Sequence, residues 1–167
     1  QFNVLMSGLG PMVSMMERQR GRPVEEGELE PQTAEVVARG RVATLEFYLG
    51  NLMRMQLEVR RMAAFFEEFD VFLTSTMTTP PPRLGCLPTD DRDVEGFLAK
   101  LFALAPYAAP FNASGQPAIS LPLHWSADGL PVGVQFAGRY GEDATLLALA
   151  AQIEQAAPWA HRRPKLV

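Results

Sequence analysis

Ile119-Ser120-Leu121-Pro122-Leu123-His124-Trp125, then Ser126-Ala127-Asp128-Gly129, then Val132-Gly133-Val134-Gln135-Phe136: two short β-prone runs flank a stretch of turn chemistry. The pattern predicts a β-hairpin or a close antiparallel pair. Pro122 has no backbone N–H to give to a ladder, so it predicts a bulge or an unpaired position within the first run.

Upstream, Asp70-Val71-Phe72-Leu73-Thr74 predicts a third short buried strand. It gives way to Ser75-Thr76-Met77-Thr78-Thr79 and then Pro80-Pro81-Pro82, where consecutive prolines fix an extended segment and end the pairing. A polyproline ligand is the lesser reading; a rigid loop across the rim of an enzyme is preferred, because the prolines directly follow a core strand.

Helices are expected around these strands. Thr33 is read as a cap for a stretch through Arg39, interrupted by Gly40. A longer helix over 44–66 carries Leu45, Leu49, Leu52, Met55 or Gln56, Val59, Met62 and Phe66 as a stripe that seeks a core. Val94, Phe97, Leu98, Leu101 and Phe102 form another stripe ended by Pro106, and Glu142 or Asp143 can cap a last helix before Pro158, with Trp159 folded back. In residues 1–24, Gly8, Gly10 and Pro11 interrupt any period, so only a short helix from Met12 is expected, followed by an exposed acidic loop. The class is α/β, with a sheet of three strands that is small for its helices.

The chain has 167 residues, enough for one domain, and a formal charge of -4 with scattered basic residues. That speaks against a nucleic-acid footprint, and no apolar run reaches the roughly 18 residues of a spanning helix. Cys86 is the single cysteine, so no internal disulfide framework exists, which fits a cytoplasmic setting.

Local chemistry offers no nucleophile. No Gly-x-Ser-x-Gly elbow, phosphate loop or metal-spaced His/Cys cluster occurs. Ser120, His124 and Asp128 suggest a triad only on paper: four residues of extended strand separate Ser120 from His124 by about 13 Å. Lys100 on a surface helix and Lys165 in the tail lack the desolvation that would activate a lysine, and nothing singles out Cys86. No metal ligand and no cofactor site are expected.

Other segments resemble a known family. Phe69-Asp70-Val71-Phe72-Leu73-Thr74-Ser75-Thr76 before the proline run is similar to a strand ending in a Thr-Pro-Thr turn, with Ser75 standing where proline is frequent. Phe111-Asn112-Ala113-Ser114-Gly115-Gln116-Pro117-Ala118-Ile119-Ser120-Leu121-Pro122 resembles the late motif with a Gly-x-Pro-Ala centre, and Gly129-Leu130-Pro131-Val132-Gly133-Val134-Gln135 the strand after it. With Ala144-Thr145-Leu146-Leu147 and Trp159, these segments resemble the amidase-signature family, including cyclic-oligoamide and aryl-acylamide hydrolases, over about residues 44–160.

The resemblance implies the C-terminal third of that family's domain: the C-terminal part of a mixed sheet flanked by helices, with residues 1–167 forming one such portion and no second domain. It implies amide hydrolysis through a Ser-cisSer-Lys triad lying upstream, so that this chain is a fragment without it; the start Gln1-Phe2-Asn3 is read as an internal cut. The alternative is an inactive amidase-derived binding or structural domain. Either way a small-molecule amide is the substrate of the complete enzyme, and a missing N-terminal portion or self-association completes the sheet. No catalytic residue is transferred. Thr76, Met77, Pro81, Phe111 and Asn112 are candidates for the substrate pocket, though for Asn112 a structural role is the preferred reading and pocket-lining the lesser one. Gly115, Gln116, Pro117, Gly129, Pro131 and Gly133 are read as the structural motif.

Overall fold

A computed structural model describes residues 2–163. The element order is α1 (Phe2–Arg20), α2 (Pro31–Val42), α3 (Leu45–Glu68), β1 (Val71–Ser75), α4 (Val94–Leu104), α5 (Ala109–Ser114), β2 (Ala118–Trp125), β3 (Pro131–Gly138) and α6 (Asp143–Ala156). Two compact units divide the chain, one of residues 1–58 and 83–103, the other of 59–82 and 104–167.

In the first unit α1 packs on α2, burying Val13, Val36 and Val37. The short helix expected from Met12 is in fact a 19-residue helix running through Gly8, Gly10 and Pro11. Packing explains the difference. A Cβ on Gly40 would stand 2.5 Å from the Met6 carbonyl oxygen and 2.7 Å from the Gly10 nitrogen, and one on Gly10 would strike the backbone of Gly40 and Arg41. These glycines let the two helix backbones touch, and that contact outweighs their poor helix propensity. Gly40 therefore lies inside α2 and does not interrupt it. Pro31 occupies the first turn of that helix, where its missing N–H is harmless, and Thr33 is not the cap.

The acidic loop is tied down by arginines. Glu28 accepts from Arg20 at 2.6 Å, from Arg22 at 2.7 Å and from the Glu25 N–H at 2.8 Å. Arg22 chiefly, then the Glu25 amide and Arg20, lower the Glu28 carboxyl to about 2. Thr44 precedes α3 and its hydroxyl accepts the Phe47 N–H at 3.1 Å, a capping bond. The expected core stripe of α3 is realised only toward its end: Leu45 is 71% and Leu49 44% exposed, whereas Phe66 is buried.

In the second unit the strands form a sheet of order β1-β3-β2. Both pairings are antiparallel. The hairpin turns through Ser126–Leu130, with the Ser126 N–H donating to the Leu130 carbonyl at 2.8 Å. The register shifts between Pro122 and His124, which is the irregularity that a donor-less proline requires.

Strand alternation sends two sets of side chains to opposite faces. One face is apolar and mostly aliphatic: Leu121 and Phe136 are buried with Leu146 of α6, joined by Val71, Ile119, Val134, Ile153 and Trp159. Trp159 thus does fold back. On the other face Phe72 and Ala137 meet Met62, Phe65, Phe66 and Phe111, a cluster tightened by edge-to-face rings Phe65–Phe66 and Phe65–Phe72. Arg139 closes the end of α3: its Nε and Nη2 donate to the Phe66 carbonyl at 3.0 and 2.5 Å, satisfying an oxygen that the helix end leaves free.

Candidate functional site

The second face of the sheet changes character along its length. Phe72, Thr74 and Thr76 follow one another at every second residue, so about 13 Å of chain carries it from aromatic to hydroxylic. Thr74 pairs across the ladder with Gln135, and Gln135 with Ser120. At the hydroxylic end Thr76 Oγ1 and Ser120 Oγ lie 2.6 Å apart, a hydrogen bond that spans the middle strand. The span needs Gly133 beneath it, since a Cβ there would lie 2.7 Å from both hydroxyl oxygens.

Gln135 is the buried polar residue of this face, 6% exposed. Its Nε2 donates to Thr74 Oγ1 and to the Tyr107 carbonyl, both at 3.2 Å. A carbonyl can only accept, so the Tyr107 contact also fixes which end of the carboxamide is nitrogen. Gln135 therefore pins the segment before α5 to the sheet.

That segment helps to enclose a pocket of about 260 Å³ lined by Met62, Phe65, Phe66, Phe72, Tyr107, Pro110 and Phe111. Phe111 is buried in its wall and Tyr107 is 43% exposed. Behind it α5 ends at Gly115, whose φ of 71° carries the chain into the left-handed turn and whose N–H returns to the Phe111 carbonyl at 2.9 Å. Gln116 then donates through Nε2 to the Gly138 carbonyl at 3.2 Å, leaving its Oε1 buried and unpartnered among the described residues.

The candidates fall unevenly over this geometry. Thr76 belongs to the hydroxyl pair, Phe111 to the aromatic pocket. Met77 is half-buried after β1, while Pro81 and Asn112 are exposed. Pro117 enters β2, with its carbonyl accepting the Gly138 N–H, while Gly129 and Pro131 belong to the hairpin turn and the start of β3. Ser120 turns its hydroxyl to Thr76 and not to His124, which is exposed. Lys100 is exposed on α4, and Lys165 lies outside the described residues. No group of three His, Cys, Asp or Glu among the described residues gathers as a metal site. No described helix is long and apolar enough to cross a membrane. Sequence reasoning missed Tyr107, Arg139 and the Thr76–Ser120 contact. Gln135 was named only as part of a strand; a carboxamide on an otherwise apolar strand was the available signal.

The Amidase family pattern matches residues 13–147. The chain is 35% identical over 153 residues to the 6-aminohexanoate-cyclic-dimer hydrolase of Paenarthrobacter ureafaciens, covering 88% of this chain and 31% of that protein. The enzyme of the same name from a Pseudomonas species matches to the same extent. Among solved structures, that of 6-aminohexanoate cyclic dimer hydrolase superimposes with a TM-score of 0.84 and 33% identity, over 96% of this chain and 34% of that one. A bacterial aryl acylamidase shares the fold at TM-score 0.67 and 20% identity, over 94% of this chain and 34% of that one. The chain thus spans about a third of the length of the curated relatives it matches.

This coverage corrects several expectations. The likeness is not confined to residues 44–160 or to a C-terminal third of the domain: the family match begins at Val13, and the structural match takes in almost the whole chain. The α/β amidase-signature arrangement is accordingly a property of nearly all of this chain and not of its C-terminal part alone. The sequence reading cut the first two helices short at Gly10 and Gly40, where the fold instead uses the missing side chains for close backbone contact that no hydrophobic period reports. The match takes in nearly the whole chain, so a likeness limited to residues 44–160 no longer supports the readings of a fragment without its triad, of an inactive derivative, or of a missing N-terminal portion or self-association. With a pattern match over residues 13–147 and a fold match over 96% of its length, this chain belongs to the amidase family.

Proposed function

We propose that this chain serves the hydrolysis of small uncharged carboxylic amides, with the Thr76–Ser120–Gln135 face and the neighbouring pocket turned to the substrate. The observation that carries this reading is the likeness to 6-aminohexanoate cyclic dimer hydrolase, at TM-score 0.84 and 33% identity. That relative's name specifies a cyclic dimer of an amino acid, and by analogy the substrate here combines an amide with an alkyl or aryl body.

The local chemistry supports the same class. Two hydroxyls and a carboxamide can exchange hydrogen bonds with an amide N–H and C=O without requiring an ion as partner. Met77, Pro81 and Asn112 are assigned to the rim of the same surface. The reaction itself needs water alone as co-reactant: the C–N bond breaks, the acyl carbon gains the water oxygen and the amine gains a proton. The reading also places the protein in the cytoplasm, where its unpaired Cys86 stays reduced; cell fractionation tests that.

The direct test is incubation of the purified protein with cyclic aliphatic, aryl and short linear amides, following amine release by chromatography. Release from at least one uncharged amide is expected. No release from any amide across pH 6–9 refutes the reading.

A further inference from the structure

We propose that the aromatic pocket is a specificity pocket for the hydrocarbon ring of the amide, and that Gln135 is the positioning residue that holds its wall in place. The identity of the ligand rests on the amide-hydrolysis reading; the pocket itself rests on geometry. Its lining offers Met62, four phenylalanines, Pro110 and Tyr107, with no charged side chain. The recess opens to one side beside the half-exposed Tyr107 and measures about 260 Å³. A dry cavity of about 150 Å³ already admits a benzene ring, so one six- or seven-membered ring fits and a charged or peptide-sized group does not.

The polar end of the same ligand has a place as well. Tyr107 lines the pocket and its carbonyl is held by Gln135, which also holds Thr74 on the same sheet face. The hydroxyl pair Thr76–Ser120 follows two residues further along β1. An amide group joined to a ring in the pocket would therefore emerge onto the Thr74–Thr76 stretch. Gln135 touches the wall and not the ring, so it acts by fixing Tyr107. Replacing it with leucine removes both N–H donors and frees the segment before α5.

The test uses the full chain labelled with 13C at its methionine methyls, with the Met62 signal assigned through Met62→Leu. Cyclohexanecarboxamide and acetamide are titrated separately, and turnover of both is measured in parallel. The Met62 signal should move saturably with cyclohexanecarboxamide. Each buried methylene favours binding roughly fourfold, so seating only two of them gives about a sixteenfold preference over acetamide. Gln135→Leu should reduce that preference to below about threefold. Thr74→Val, which removes one of the two partners of Gln135, should lower it in the same direction if Gln135→Leu does not fold. A motionless Met62 signal, equal affinity for the two amides, or a ring preference untouched in these variants overturns the proposal. Ring binding without turnover of any amide refutes the hydrolysis reading and leaves the pocket standing. Turnover without ring preference does the reverse.

Discussion

Gly133→Ala tests whether the hydroxyl bridge over the sheet is a designed contact. A Cβ at Gly133 would lie 2.7 Å from Ser120 Oγ, 2.7 Å from Thr76 Oγ1 and 3.0 Å from Thr76 Cβ. Ser120 can rotate its hydroxyl away, which forfeits a hydrogen bond worth about 0.5–1.5 kcal/mol net. Thr76 is β-branched and follows β1 directly, with its N–H held by the Gly133 carbonyl at 2.9 Å, so its Cβ yields less readily. Overpacking of this kind typically costs about 1–3 kcal/mol, and a strand gains about 0.5–1 kcal/mol when alanine replaces glycine. The expected net loss is about 1–2 kcal/mol. At this chain length that corresponds to a fall in Tm of roughly 2–8 °C.

The double variant Gly133→Ala/Ser120→Ala separates these contributions. With the Ser120 hydroxyl already gone, the hydrogen bond is no longer there to lose and one of the two clashes is relieved. Gly133→Ala should then be milder by about 1 kcal/mol than in the native background. Urea denaturation of the four proteins, with m-values compared to confirm that the transitions are alike, gives the coupling directly. Equal costs in both backgrounds, or a stabilising Gly133→Ala, would refute the argument that these hydroxyls bridge above a residue that must lack a side chain.

Further outcomes follow from other contacts. Gly10→Ala should destabilise by about 1–3 kcal/mol because its methyl meets the α2 backbone, whereas Gly8→Ala, with nothing within 4 Å, should stabilise by about 0.5–1 kcal/mol; urea midpoints of the two variants should move in opposite directions. Arg139→Gln should cost about 1–3 kcal/mol by uncapping the Phe66 carbonyl, read as a lowered midpoint and faster hydrogen exchange in the last turn of α3. For Glu28 the folded carboxyl titrates near 2, against 4.5 as the ordinary value. A depressed acid stabilises the fold above its unfolded pKa, and that contribution fades as pH falls from about 4.5 through 2. Glu28→Gln should therefore differ from the native protein above pH 5 and converge with it near pH 2, with the difference shrinking in 1 M salt because the pair is exposed.

Strand positions and the hairpin were legible because each depends on neighbours in sequence. Val132–Phe136 alternates apolar and small or polar residues, Asp128-Gly129 turns the chain, and Pro122 cannot donate wherever it stands. The early helix was illegible for the complementary reason. Gly8, Gly10 and Pro11 read as helix breakers until α2 is beside them, and only then does the missing Cβ at Gly10 become a contact. The α3 stripe shows the same limit: its period is visible from Leu45 onward, yet only Phe66 is buried, because periodicity declares a face without saying what will cover it.

For the site the division is sharper. The chain by itself showed that Ser120 and His124 lie too far apart on one strand to react together, since the extended backbone sets that distance. It also placed Thr76 and Phe111 in segments resembling those of known amidases. Only the tertiary structure brought Thr76, 44 residues from Ser120, within 2.6 Å of it. Likewise, only the fold joined Gln135 to Tyr107 and gathered seven side chains from α3, β1, α5 and the segment before it around one recess. Such contacts depend on cross-strand register and on helices returned to the sheet by the fold, and short-range propensity carries no record of either.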